Sequence, residues 1–473
     1  MSEGYFRSIV DDNKDDQIVY RDSGFDDGQL SNKEDEIEMN IHNQKINSYM
    51  TSVATDAYPK NEGENESKCL KSDEFKCIIN LLASALGGGC FVFPYILYEI
   101  GIINSLIIFI FLSISIYYSL DLLRIFVVNS KFFSFSFITQ HTLGNLWQKI
   151  YAISAFLFYM SYIINYLELL HKFIRSMLDF LKDGWGKIIY FLISCIIQIL
   201  LCLFTNKISK LYYFSLIVVI IFIIILIVLI IKSIFLFSSG EFKHLSLFTL
   251  EINNKTNWKS FLFITSKIIE FFYGFIYHST FPTLLSGLDN ISNSKTKKIQ
   301  NISFILLFFF YIIISFFGCS FYDENSELIL VDQIAISNDI LKYIFKSILI
   351  LLFIILIPIR YIVIRDNYTS LIGQDILQLK YEILITSICL IISNIIVFFT
   401  GESKNFMSIL IHYFGGALGV FICFVLPIIS FISLNPKGKL RAIFGYIIGG
   451  IFIVIGFFSI FHNIQSEDDG ITN

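Results

Sequence analysis

Three consecutive glycines, Gly87 to Gly89, interrupt the first membrane-length apolar stretch of the chain. Glycine destabilises a helix interior by about 1 kcal/mol relative to alanine, and it lets a solute approach the backbone closely. Hydrocarbon contains no water to satisfy exposed amides and carbonyls, so a broken helix persists there only where something polar meets it. The usual polar partner is a transported solute. The glycines therefore predict a solute site built from peptide groups at membrane depth.

A second apolar stretch carries a similar interruption. It reads Gly274-Phe-Ile-Tyr-His278-Ser-Thr-Phe-Pro282, so a glycine, a histidine and a proline fall within nine residues. This combination disfavours a continuous helix. We therefore expect one helix break in each of these two stretches.

The composition is that of an integral membrane protein. Of the 473 residues, 55% are hydrophobic and only 16% are charged, whereas soluble domains have about 25% charged residues. The lipid bilayer is therefore an expected partner, and we expect no nucleic acid, metal or cofactor.

Eleven apolar stretches are long enough to cross a membrane, for which about 20 residues are needed. These predicted spans are residues 77–99, 102–123, 148–174, 187–205, 209–236, 260–285, 301–321, 342–364, 381–400, 406–433 and 440–461. Spans one to five and six to ten form two sets of five, and because five is odd the second set is inverted. Each set begins with an interrupted helix. Inverted repeats with paired broken helices are typical of secondary transporters with a site at mid-membrane.

The charges divide the chain into three parts. Residues 1–76 hold 9 Lys and Arg against 18 Asp and Glu, a net charge of −9, and should form a disordered acidic tail. Residues 77–461 form the transmembrane domain, and residues 462–473 form a second short acidic tail. Lys and Arg concentrate in the even-numbered connections, which places the N-terminus in the cytosol. The connections at 174–187 and 237–259 carry lysines against this trend.

Four motifs then resemble one known family. They are the glycine cluster with Phe93-Pro-Tyr and Gly101, the second break with His278 and Pro282, Leu356-Ile-Pro-Ile-Arg360, and Tyr413-Phe-Gly-Gly-Ala-Leu-Gly419 running into Leu426-Pro427. In this order, over residues 77–461, they resemble the amino acid/auxin permease family, which also has eleven spans.

The resemblance implies an all-α five-plus-five inverted-repeat transporter of amino acids, with discontinuous helices 1 and 6 and one extra C-terminal helix. Members couple to sodium or to protons. The sodium-coupled branch resembles this chain less well, because Ala83 stands where that branch has Asn, and the stretch before Pro358 offers apolar residues such as Leu349 and Leu351 in place of hydroxyls. We therefore expect proton coupling or exchange.

An amino acid needs donors for its carboxylate and acceptors for its ammonium group. We assign the carboxylate to the glycine break, where a helix N-terminus exposes amides, and the ammonium to the carbonyls of the second break. The predicted residues are Gly87, Gly88, Gly89 and Cys90 for the first group, and Phe275, Ile276 and Tyr277 for the second. The alternative role for the glycines is close helix packing, which we favour for Gly415, Gly416 and Gly419.

Ionisable residues within apolar spans are candidates for moving the coupling proton. His278 is the best of them, because imidazole titrates near physiological pH, although it could equally be a hydrogen-bonded core histidine. Glu270 and Glu168 are further candidates, but Lys267 lies three residues before Glu270 and could simply neutralise it. We expect Arg360 to extend to the cytosolic surface.

Two other functions compete with transport. A membrane-bound acyltransferase could use His278, but no second catalytic group is evident beside it and the paired breaks would go unexplained, so we do not expect an enzyme. A nutrient sensor would bind an amino acid without net transport. A channel is disfavoured, because no ring of acidic residues is present. The membrane is expected to be the plasma membrane or an acidic vacuole- or lysosome-like membrane.

Gly88→Leu should abolish amino acid uptake, because a leucine side chain would cover the peptide groups of the break. Membrane insertion should be retained, since leucine favours both helix and hydrocarbon. Uptake into liposomes and the yield of inserted protein measure the two effects. Uptake at the wild-type rate would contradict the assignment.

Overall fold

The computed structural model describes residues 66–178, 184–204, 208–238, 257–322, 340–372, 379–400, 406–434 and 439–468. Residues 1–65 and 469–473, which include most of the predicted tails, lie outside them. The described residues form helices and contain no strand. The α-helices are α1 Glu66–Ala85, α2 Phe93–Ile100, α3 Ile102–Ser130, α4 Phe135–Leu143, α5 Asn145–Met177, α6 Gly184–Phe204, α7 Ile208–Ser238, α8 Asn257–Tyr273, α9 Thr280–Leu285, α10 Asn293–Gly318, α11 Ile340–Ile372, α12 Leu379–Thr400, α13 Phe406–Leu410, α14 Leu426–Leu434 and α15 Lys439–Asp468.

Within the described residues, nine helices are long and apolar enough to cross a membrane. A tenth is reached if the bent pair Asp73–Ala85 and Gly88–Ile100 counts as one span. The expected all-helical, multi-span membrane protein is therefore confirmed. The sixth predicted span, 260–285, corresponds to α8 and α9. α8 has 17 residues and is about 25 Å long, which is shorter than the roughly 30 Å of a hydrocarbon core.

The first break lies between α1 and α2. α1 ends at Ala85, and a 3-10 turn over Gly88–Val92 leads into α2, so that the chain bends by 52°. Gly101 ends α2 with a φ of 83°, a left-handed conformation that favours glycine. α1 begins at Glu66, inside the segment that we assigned to the acidic tail. Lys76 and Asp73, three residues apart, form an ion pair in this part of the helix.

The second break lies between α8 and α9. Residues 274–279 leave the helix after Tyr273, and the short α9 begins at Thr280. Pro282 lies in the first turn of α9, where a missing amide proton removes no helical hydrogen bond. Both predicted breaks are therefore present in the backbone.

The helices pack so that the two breaks lie inside the bundle. α5 runs along α11, and α15 runs along α8. Between α13 and α14 the chain is π-helical over Ile411–Gly419 and Phe421–Val425, a wide form that often occurs at functional sites. Every residue from Gly87 to Val92 and from Gly274 to Ser279 is buried.

The three glycines that we assigned to packing do lie at helix contacts. A Cβ atom on Gly415 would lie 3.1 Å from the Tyr273 ring, and one on Gly419 would lie 2.7 Å from Ile276 Cδ1. A Cβ atom on Gly416 would lie 3.2 Å from the carbonyl oxygen of Gly456 in α15, and one on Gly456 would collide with the backbone of Gly416. α15 thus approaches the π-helical segment through paired glycines.

Gly456→Ala should therefore lower the thermal unfolding temperature in detergent, because overpacking of a tight contact costs about 1–3 kcal/mol. Gly450→Ala is the matched control in the same helix, since nothing lies within 4 Å of a Cβ atom there. That control should be neutral or stabilising by up to about 1 kcal/mol. Equal unfolding temperatures for the two variants would contradict this packing.

Candidate functional site

The two breaks touch each other. A Cβ atom built on Gly89 would lie 2.8 Å from the Cα atom of Gly274, so the two backbones approach as closely as only glycines allow. A Cβ atom on Gly274 would in turn collide with the Phe93 ring. Gly89 therefore also has a packing role, in addition to the ligand role that we predicted for it.

One hydroxyl joins the two breaks. Tyr311 of α10 is fully buried, and its Oη atom lies 2.8 Å from the carbonyl oxygen of Ala85 and 2.7 Å from that of Gly274. A hydroxyl has one proton to donate, so the two carbonyls share it. These are carbonyls at the ends of α1 and α8, which have no intrahelical donor. Tyr311 thus fixes the two helix ends relative to each other.

The first break leaves amide donors open. Within the described residues, the amides of Gly87, Gly88 and Gly89 donate no hydrogen bond, as expected at the start of a helix. The amide of Cys90, the fourth predicted donor, bonds to the Gly87 carbonyl at 3.3 Å, and its thiol donates to the same oxygen at 2.9 Å. Three of the four predicted donors are therefore available.

The second break leaves carbonyl acceptors open. In this part of the described chain, the carbonyls of Phe275 and Ile276 accept no hydrogen bond, and both residues are fully buried. The third predicted carbonyl, that of Tyr277, accepts from the Thr280 hydroxyl at 2.7 Å. The Tyr273 carbonyl accepts from the Tyr162 hydroxyl. Two of the three predicted acceptors remain available.

Arg360 of α11 lies beside the first break, and our expectation that it reaches the cytosolic surface is wrong. It is 1% exposed, and its Nη2 atom would lie 3.1 Å from a Cβ atom on Gly87. Its Nε atom donates to the Tyr166 hydroxyl at 3.4 Å, and its guanidinium lies 4.7 Å from the centre of the Tyr162 ring. No carboxylate of the described residues pairs with it, and its Nη1 atom has no partner there.

A row of tyrosines on α5 faces the same place. Tyr159, Tyr162 and Tyr166 are fully buried, and the spacing of three and four residues puts them on one helix face. A Cβ atom on Gly88 would lie 3.0 Å from the Tyr166 ring, so Tyr166 covers the open amides. This row was not among the residues predicted from the sequence. The signal was available, because three polar-tipped rings at helical spacing stand out in an apolar span.

The three predicted proton carriers lie in different surroundings. His278 is fully buried, and neither ring nitrogen has a partner among the described residues. Glu168 is 8% exposed on α5. Glu270 contacts Lys267 through both carboxylate oxygens, at 3.1 and 3.2 Å, as the spacing predicted. It also lies 3.4 Å from Nε2 of His412, which was not among the predicted site residues.

Comparison with known proteins identifies the family of this chain. The sequence profile of the family described as "Transmembrane amino acid transporter protein" matches residues 71–465, which is more than half of the chain. One curated relative, sodium-coupled neutral amino acid symporter 2 of Danio rerio, is 22% identical over 188 residues. That match covers 39% of this chain and 36% of the relative, so the chain spans about a third of the relative's length.

Solved structures resemble the fold. The manganese transporter of Eremococcus coleocola, crystallised with an aromatic bis-isothiourea compound, superimposes with a TM-score of 0.53 at 13% identity. The superposition covers 86% of this chain and 90% of that one. A mutant of the same transporter gives a TM-score of 0.51 at 14% identity. At such low identity, the likeness establishes a shared fold and nothing about the cargo.

Tyr311→Phe should destabilise the protein, because it removes the proton that serves two buried carbonyls. An unsatisfied buried acceptor costs about 1–3 kcal/mol, which thermal unfolding in detergent will detect. Tyr446→Phe is the control, since Tyr446 is 57% exposed in α15. If both variants unfold at the wild-type temperature, the Tyr311 hydroxyl does not hold the breaks together.

Proposed function

The chain belongs to the transmembrane amino acid transporter family, and from that premise we propose that it is a secondary active transporter that binds the amino acid between its two helix breaks. The observation that carries this proposal is the pairing of open amides and a buried cation on one side with open carbonyls on the other. A zwitterion is the solute that supplies a partner to both.

The carboxylate binds at the first break. The amides of Gly87, Gly88 and Gly89 point from a helix N-terminus, where the helix dipole favours an anion. Arg360 adds a full positive charge beside Gly87. A buried cation without a counterion is costly in a membrane interior. The substrate carboxylate would supply the missing charge, and the guanidinium fork can hold both of its oxygens.

The ammonium group binds at the second break, where the carbonyls of Phe275 and Ile276 accept its protons. The Gly89–Gly274 contact holds these carbonyls close to the amides of the first break. Tyr166 lies over Gly88 in the present conformation, so substrate entry requires this ring to move. We infer that the conformation described is closed around the site.

The architecture proposed for transport has eleven spans. The first span consists of α1 and α2, the sixth of α8 and α9, and the two sets of five are related by inversion, with α15 as the additional C-terminal helix. Support comes from the breaks at the start of each set and from the fold shared with a known transporter. Rocking of one set against the other would expose the site alternately to the two sides.

For coupling we propose a proton, or exchange of one amino acid for another. The curated relative is named as sodium-coupled, which supports ion coupling in general. In this chain Ala83, fully buried next to the first break, has no side-chain oxygen to offer a sodium ion. From the sequence we also propose that the protein lies in the plasma membrane or in an acidic vacuole- or lysosome-like membrane. Its N-terminus is proposed to face the cytosol.

The two rival functions gain less support. An acyltransferase would need a group that activates or orients His278, whereas both nitrogens of that ring lack partners within the described residues. A sensor would use the same binding site without net transport, and only a flux measurement separates it from a transporter.

The test is uptake of labelled amino acids by the purified protein in liposomes, with and without a pH gradient, combined with thermal unfolding in the presence of each amino acid. We expect uptake of at least one amino acid and a rise in its unfolding temperature. A thermal shift without uptake or exchange would favour the sensor. Neither effect, in a folded protein, would refute the site.

Arg360→Gln should reduce uptake at low substrate concentration by about 10- to 100-fold, the worth of a hydrogen bond to a charged group. Arg360→Lys should be intermediate, because it keeps the charge and loses the fork. Without substrate, Arg360→Gln should not unfold at a lower temperature, since no anion is left unpaired. Arg365→Gln is the control on the same helix, where Arg365 faces Glu382 at 3.7 Å. If Arg360→Gln transports like this control, Arg360 does not bind the carboxylate.

A further inference from the structure

A cluster of four ionisable side chains, three of them buried, lies where three helical segments meet. Its members are Glu99 of α2, Lys267 and Glu270 of α8, and His412 in the first turn of the π-helical segment Ile411–Gly419. Lys267, Glu270 and His412 are at most 6% exposed. The cluster therefore connects the second half of the first broken span to the first half of the sixth, and connects both to the π-helix.

The contacts form a chain. Lys267 Nζ lies 2.5 Å from Glu99 Oε2 and 3.1 Å from Glu270 Oε1. Glu270 Oε1 lies 3.4 Å from His412 Nε2. The other ring nitrogen of His412 lies 2.9 Å from the Ser459 hydroxyl of α15. The imidazole is therefore held between a carboxylate and a hydroxyl, with one nitrogen directed at each.

The cluster has one more carboxylate than it has ammonium groups. With both carboxylates ionised and His412 neutral, its net charge is −1. A net charge is costly in surroundings that contain little water. One added proton brings the total to zero, and His412 is placed to take it, because imidazolium donates to a carboxylate at this distance.

The remaining groups that face the cluster do not supply that charge. The rings of Tyr95 and Phe263 lie 5.1 and 5.3 Å from Lys267 Nζ. Ser266 lies 3.5 Å from Glu270 Oε1 and 3.4 Å from His412 Nε2, so it is a hydroxyl partner to both. The ring centre of His462 in α15 lies 6.4 Å from the centre of the Phe263 ring.

We propose that this cluster binds the coupling proton, an inference that rests on the proposed transport function. With His412 protonated, Glu270 has its own cation and Lys267 pairs chiefly with Glu99. With His412 neutral, both carboxylates share Lys267. The proton thus changes the strength of the Glu99–Lys267 pair, which connects α2 to α8. α2 is the second half of the first broken span, and α8 is the first half of the sixth. Protonation therefore biases the arrangement of the substrate site between them.

His278, the candidate that the sequence favoured, lacks these features. Its ring is fully buried, and no partner lies within hydrogen-bond distance of either nitrogen in the described residues. A proton on the His278 ring would create a positive charge without a counterion. A proton on His412 would instead place a positive charge beside the Glu270 carboxylate. His278 is therefore the matched control for His412, since both are buried histidines close to a break or a widened helix.

The experiment compares two activities of each variant in liposomes. Exchange of internal for external amino acid at equal pH needs no driving ion and reports the substrate site. Accumulation driven by a one-unit pH gradient, up to about tenfold for one proton per substrate, reports coupling, and a pH-sensitive dye inside the liposomes reports the proton itself. His412→Gln is the primary variant, because it leaves the ion pairs of Lys267 in place. Glu270→Gln is the second variant, and unfolding temperature verifies that it folds.

We expect His412→Gln and Glu270→Gln to exchange substrate within about twofold of the wild-type rate, while accumulation and substrate-driven proton entry are lost. His278→Gln should retain all three activities. Full accumulation by His412→Gln, its loss in His278→Gln, or wild-type accumulation driven by a sodium gradient alone would each overturn the proposal. A wild-type protein that exchanges amino acids but never accumulates them with protons would overturn it and leave the transport function intact. Absence of exchange in the wild type would refute both.

Discussion

The peptide groups at two helix breaks must find partners in a place that water does not reach, and most features of the site follow from this constraint. Tyr311 serves the carbonyls that end α1 and α8, and Tyr162 serves that of Tyr273. The amides from Gly87 to Gly89 and the carbonyls of Phe275 and Ile276 stay open within the described residues. The protein thus satisfies the groups that hold the breaks in place and leaves open those that a zwitterion can satisfy.

Charge follows the same pattern as hydrogen bonding. Arg360 is a buried cation without a carboxylate partner in the described chain, and the Glu99–Lys267–Glu270–His412 cluster has one more carboxylate than it has ammonium groups. An isolated imbalance of this kind is expensive in a membrane protein, and it marks a position where a charged species is expected to bind. The first imbalance matches an amino acid carboxylate, and the second matches a proton. Both lie against the broken spans, so the two binding events can influence each other.

The sequence predicted the breaks but not everything that surrounds them. Glycine and proline act on the backbone locally, so Gly87–Gly89 and the stretch from Gly274 to Pro282 could be recognised without knowledge of the fold. The buried position of Arg360 could not be predicted in this way, because its depth in the membrane depends on where its helix ends. We ended the eighth span at residue 364, near the membrane surface, whereas α11 continues to Ile372, twelve residues or about 18 Å beyond Arg360. Of the charged groups around Glu270, only Lys267 could be predicted from its spacing, since Glu99 and His412 come from distant parts of the chain.

The most direct test of the central claim is an electron cryo-microscopy map of the protein saturated with an amino acid that it transports. We expect the first and sixth spans to be interrupted, with the carboxylate density between the Gly87–Gly89 amides and the Arg360 guanidinium, and the ammonium density at the Phe275 and Ile276 carbonyls. Substrate density elsewhere in the bundle, or two continuous helices with packed side chains at these positions, would contradict the account.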